Sequence, residues 1–410
     1  MAANRKKYNL PTVERMELSE KHFSLRAILA AVLIAAALAV LGAAIFALTR
    51  TEPGWQAIES DGSKGIHCGG DFELRADVSG AAARKRLSMA WTEATAKAYA
   101  MFSLEDIVSA EGTGSVGTVN ARAGEDVRVD EALYRALKTA DEGGRWLYLA
   151  PLYDVQRSLS ACRYDHETAS FDALQDPDVR AFCGRAAAFA RDPEAARLVF
   201  TAPDTVRLEL SEEYAAFLRE NGCPGALDFG WMKNAFVIDY LADCVTQAGG
   251  SRAVITSCDG FVRALDDGAR TAHSLPLYEA GERGLAVRSN LRARYAGSAA
   301  LAVLTRFAPD PNGSLYFYVF KTDGTAWRAG DTRLPYIDPR DGLAHAALPY
   351  LVGADENSGC AEVLMRLLPA YIADEWNPDA VEGAALVWQE DDGEWIASGD
   401  QLTLEGAGGA

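Results

Sequence analysis

Apolar and polar residues alternate through Asp71–Val78 (DFELRADV), which predicts a half-buried strand. Leu87, Ala90, Trp91, Ala94 and Tyr99 recur at helical spacing across residues 81–101. EDVRVDEALYRALKTADEG predicts a short strand, an acidic cap at Asp130 and a helix ended by Gly143. Residues 189–223 mix strands with a closing helix, and AFVIDYLADCVTQAGG predicts a helix with a glycine stop. SRAVITSCDGFVRALDDG reads as a strand, a break at Asp259-Gly260, a second strand and a turn at Asp266-Asp267-Gly268. Residues 284–324 are strand-rich, a helix is expected near 358–373, and ALVWQEDDGEWIAS closes as a hairpin. There is no strict βαβ rhythm and no internal repeat. The expected fold is α+β, a mixed, largely antiparallel sheet with packed helices.

The N-terminus departs from that pattern. Ala27–Leu48 runs for 22 residues without a charge, and a helix needs roughly 20 apolar residues to cross a bilayer. Six Lys or Arg against three Glu precede it, so the positive-inside rule sets residues 1–26 in the cytoplasm. The expected organisation is a transmembrane helix at 27–48, a polar linker at 49–65, an extracytoplasmic domain at 66–400 and a tail at 401–410. A cleaved signal peptide is the competing reading, but the run is long and no small-x-small site follows it.

Net charge is −18 over 410 residues, which argues against nucleic acid as a partner. Seven cysteines lie scattered without a CxxC, and with the histidines also far apart there is no zinc pattern. In LDFGWMKNAFVID (Leu227–Asp239), by contrast, a carboxylate precedes a glycine turn that runs straight into an apolar helix. From the residues alone, Asp228 reads as an N-cap worth about 1 kcal/mol or as a ligand contact. Asp239 reads as a solvated or paired carboxylate, and Asp338 as a turn initiator or a ligand contact.

The order of these segments resembles the bacterial FAD:protein FMN transferase family, which moves FMN from FAD onto a Thr or Ser of a partner flavoprotein. That family carries Asp-Leu-Gly-Gly-x-x-Lys-Gly-Tyr-x-x-Asp leading into a helix. Asp228, Gly230 and Asp239 fall on it without gaps, with Phe236 at the Tyr. HCGGDFELR, GSVGTVNARAGEDVRVDEALYRAL with Asn120, YLAPLYDV, AVITSCDGFVRAL, YIDPRDG (336–342) and EGAALVWQEDDGEWIASG follow the family's other landmarks in order. The resemblance covers roughly residues 60–400.

It implies FAD as ligand, with Asp228, Gly230, Lys233, Gly260 and Asp338 near it, and Mg²⁺ to bridge the phosphates. The departures fall on the chemistry. Cys360 and Leu364 stand where the family's Mg²⁺ ligands, an Asp and a Thr, belong, and neither offers the hard oxygen Mg²⁺ requires. Glu362 and Asp355 are the nearby carboxylates that would have to improvise. Pro335 replaces the family's His with Leu334 before it, Asn234 its Lys with Lys233 adjacent, and Trp231 its second Gly. Cys258-Asp259 or Asp259-Gly260 stands at its Gly-Gly pair. Three readings follow, with no catalytic residue assigned. The first is an active, membrane-anchored transferase acting on an extracytoplasmic flavoprotein. The second is a non-catalytic relative that binds flavin or a membrane-associated protein, and the third an ectodomain with no small ligand. DVSGAA (77–82) lacks the hydroxyl residue that would end a flavin-acceptor motif, which argues against self-modification.

Overall fold

The computed structural model describes residues 28, 31–34, 54–161, 171–281, 286–307, 318–319 and 332–406. The chain divides into two units, Met1–Glu52 and Pro53–Ala410. Among the described residues no helix is long and apolar enough to cross a membrane. This corrects the expected single-pass anchor, and with it the bacterial cell-membrane location and the extracytoplasmic placement. Of the 27–48 run only Ile28 and Ala31–Ile34 are described, as helix, far short of the roughly 20 residues a span needs. The rest of that expectation lies outside the described residues.

Eight antiparallel strands form the central sheet of the larger unit. Their spatial order is Gly54–Ile58, Phe72–Val78, Ala253–Ser257, Phe261–Leu265, Ala299–Thr305, Tyr350–Asp355, Ala385–Gln389 and Trp395–Ser398. The α+β expectation with antiparallel sheet and packed helices holds. Two boundaries do not. Gly54–Ile58 was expected in a linker, yet it pairs along Phe72–Val78 as the sheet edge. Thr403–Gly406, expected in a tail, pairs with Ala286–Ala296.

The strand Ala299–Thr305 shows why the sheet is apolar throughout, since every residue in it is buried. Side chains alternate across a strand. Ala300, Ala302 and Leu304 therefore join the large core beneath the helices, whereas Ala299, Leu301 and Val303 join a second core. That second core is closed by Leu277, Ala293 and Tyr295 from the three-stranded sheet of Ala272–Ala280, Ala286–Ala296 and Thr403–Gly406, and by Leu402 just before its last strand. This part of the larger unit is thus layered as helices, large sheet and small sheet.

On the helical side, Lys233–Gln247 packs against Ala81–Met101, Cys360–Tyr371 and strand Phe261–Leu265. Helix Glu131–Glu142 buries Leu133, Ala136, Leu137 and Ala140, the 3.6-residue spacing of one face. Asp130 caps it by accepting from the Ala132 amide at 2.9 Å, and Gly143 ends it as expected.

Candidate functional site

The site is assembled on the turn that leads into helix Lys233–Gln247. Asn120, in the short helix Val116–Ala121, clamps the approach. Its Nδ2 donates to the Leu227 carbonyl at 2.8 Å, and its Oδ1 accepts from the amides of Ala226 and Leu227 at 3.1 and 2.9 Å. Asp228 follows, 7% exposed. Its Oδ1 accepts from the Gly230 amide at 2.8 Å, while Oδ2 accepts from Arg157 Nη1. No side chain caps the 3-10 turn Gly230–Met232 or the helix after it. Asp228 is therefore not an N-cap; it shapes the turn and fixes Arg157. Gly230 has φ +55°, and a Cβ there would lie 2.6 Å from the Tyr153 ring. Only glycine fits both the backbone and the contact.

This turn forms one side of a cleft of about 680 Å³. Tyr99, Phe102, Tyr153 and Trp231 give it aromatic walls, and Asp71, Glu105, Arg157, Asp228 and Lys233 its charges. Trp231 is buried and stands edge-on to Tyr336 with ring centroids 4.8 Å apart. Burial and the adjacent Asp71 push the Cys68 thiol up to about 12, against the opposing pull of Lys233. That thiol is protonated near neutral pH and is not a ready nucleophile.

Of the five residues expected near the ligand, Asp228, Gly230 and Lys233 line this cleft; Asp338 and Gly260 do not. Asp338 is buried and accepts from the Arg340 amide and Nε at 2.7 and 2.6 Å, holding its own turn. Gly260, at φ +101°, lies in a strand turn where its carbonyl accepts from the Val303 amide at 3.1 Å. Asp71, Tyr153 and Arg157 were not singled out from the sequence. For the last two a signal existed: Tyr153, Gln156 and Arg157 share one helical face at i, i+3 and i+4, and all three line the cleft.

The family's metal positions point elsewhere. Cys360 is fully buried and its thiol donates to the Val262 carbonyl at 3.2 Å; Leu364 is wholly buried in the core. Asp239 keeps part of its surface and meets Arg263 Nε at 4.0 Å, so it is paired, with a residue of the neighbouring strand. Its two oxygens accept from the Cys360 and Ala361 amides at 2.8 and 3.0 Å, so it caps a different helix, one whose own N-cap, Gly359, lacks a side chain. Asp355 is held by Arg366, Ser358 and the Asn357 amide. Glu362 is exposed and lines a separate hollow with Asp239. These residues do not fit Mg²⁺, which wants a near-octahedral set of oxygens. Among the described residues, Asp338, Asp341 and His345 bring ligand atoms within 4.8 Å of one another. Arg340 already supplies the cation for Asp338 there, and His345 Nε2 meets Asp341 at 2.9 Å.

Two half-buried carboxyls carry a pH signature. Burial raises Asp259 to about 6 despite hydrogen bonds from Ser257 and Asn234, and raises Asp239 to about 6 despite its amide partners. A folded pKa above the unfolded value of about 3.9 means the native state holds the extra proton between pH ~4 and ~6. That stabilisation is full below pH ~4 and lost as pH rises through 6. Asp266, held down to about 2 by amides of its own turn, acts in the opposite sense at lower pH. Urea unfolding of wild type and Asp259→Asn should therefore show wild type losing ground relative to the variant from pH 4 to pH 7. A constant difference would refute the assignment for Asp259.

The fold is similar to that of the ApbE flavin transferases. The apbe protein from Thermotoga maritima matches with a TM-score of 0.51 at 15% identity, over 84% of this chain and 97% of that chain. Flavin transferase ApbE from Vibrio cholerae matches with a TM-score of 0.51 at 11% identity, over 85% of this chain and 98% of that one. No family model matches the sequence, nor does any curated protein. At these identities the likeness is one of fold.

Proposed function

We propose that this chain is a flavin-nucleotide-binding protein of the flavin transferase fold, with FAD as the ligand of the 680 Å³ cleft. The observation that carries the reading is the 227–233 turn. Asp228 and Gly230, which match the family motif, converge with Lys233, the neighbour of its Lys position, on a cavity walled by aromatic rings. Stacking surface and a few placed charges are what a planar, phosphorylated ligand requires. Transfer of FMN to a Thr or Ser of a partner flavoprotein is the activity that goes with this ligand. Buried Cys360 and Leu364 at the metal positions weigh against it.

The test is a titration of FAD into the full chain, read by flavin fluorescence, with AMP release followed in parallel. Saturable binding of one FAD per chain without AMP is the expected result. AMP appearing with turnover would place transfer above binding alone. An unchanged signal up to about 1 mM FAD, the weak end of specific affinity, would remove the flavin reading.

A further inference from the structure

The cleft's charges are unevenly committed. Arg157 is engaged by Asp228 and by Asp154. His67 Nδ1 accepts from the Gly69 amide at 3.0 Å, which leaves that nitrogen unprotonated. Lys233 lines the same cavity, and among the described residues its ammonium has no ion pair. Its position is also locally unfavourable. Lys233 is the first residue of a 15-residue helix, with no acidic side chain in the first turn, where the helix dipole disfavours a cation. Residues that break a local rule without a compensating partner concentrate at functional sites.

Resting on the flavin reading above, we infer that this chain meets the diphosphate of its ligand with Lys233 and without a divalent cation. Two acids of the lining, Asp71 and Glu105, have no side-chain partner among the described residues. Glu105 is exposed, and Asp71 alone supplies one carboxylate where Mg²⁺ needs a set of oxygens. The carboxylates nearest the family's metal positions are spent on the helix amides by Asp239 and on Arg366 by Asp355. An ammonium in a cavity with apolar walls is screened less than one in bulk water, so a single charge there carries weight.

The test compares FAD affinity of the full chain in EDTA and in millimolar Mg²⁺, for wild type, Lys233→Met, Lys233→Arg and the surface control Lys85→Met. Expected are affinities within about twofold across the metal conditions and a loss of about tenfold or more in Lys233→Met, the size of one charge-assisted contact. Lys233→Arg should keep most of the affinity and Lys85→Met all of it. Inorganic pyrophosphate should compete with FAD in EDTA for wild type and much less for Lys233→Met. Binding that vanishes in EDTA and returns with Mg²⁺ overturns the inference while leaving the flavin reading standing, as does a Lys233→Met chain that binds like wild type. A chain that binds FAD under no condition overturns the flavin reading and this inference together.

Discussion

Replacing Gly230 with alanine should lower the unfolding free energy by roughly 2–5 kcal/mol and weaken ligand binding with it. A non-glycine residue in the left-handed region costs about 1–2 kcal/mol, and forcing an added methyl into a packed contact costs about 1–3 kcal/mol. Both apply, because φ is +55° and the new Cβ would lie 2.6 Å from the Tyr153 ring. That ring cannot swing away cheaply, since it is buried and its hydroxyl donates to the Trp146 carbonyl at 3.0 Å. Urea denaturation measures the effect directly. A midpoint equal to wild type would mean the turn at 228–232 takes another shape.

The second large effect is expected at Arg333→Met. Arg333 Nε and Nη2 donate to Asp172 Oδ2 at 3.0 and 2.8 Å. Their side chains are 11% and 3% exposed. The substitution keeps much of the aliphatic volume but leaves the Asp172 carboxylate buried without its cation. Breaking a buried pair in this way costs about 3–5 kcal/mol. The companion change Asp172→Asn in the same chain should recover part of the loss, because it removes the stranded charge. A double variant no more stable than Arg333→Met would refute that account.

Local signals were the legible ones. The alternation in Phe72–Val78 and the Asp130 cap announced their elements because each depends on residues within one turn or one strand. The Asp228–Lys233 turn was legible for the same reason. Gly54–Ile58 was obscured by flanking glycine and proline, and as a mostly half-buried edge strand it lacks a strong apolar rhythm. Asp338 and Gly260 matched their motifs in sequence, but what those motifs fix here is turn geometry. Asp239 could not be read at all, because its partners lie 121 and 122 residues downstream. The 27–48 run met the composition of a membrane span, yet no described helix has the length and apolarity of one.

That separation has a consequence for how the chain completes its fold. Until residues 360 and 361 have been synthesised and docked, Asp239 lacks the two amides that donate to it in the folded protein. The contact between helices Lys233–Gln247 and Cys360–Tyr371 therefore cannot form before the later segment exists. The contact belongs to the non-local kind whose loop-closure entropy slows folding. A nascent chain that has already emerged with every residue of the Asp228–Lys233 turn still lacks the lock on the helix that turn begins.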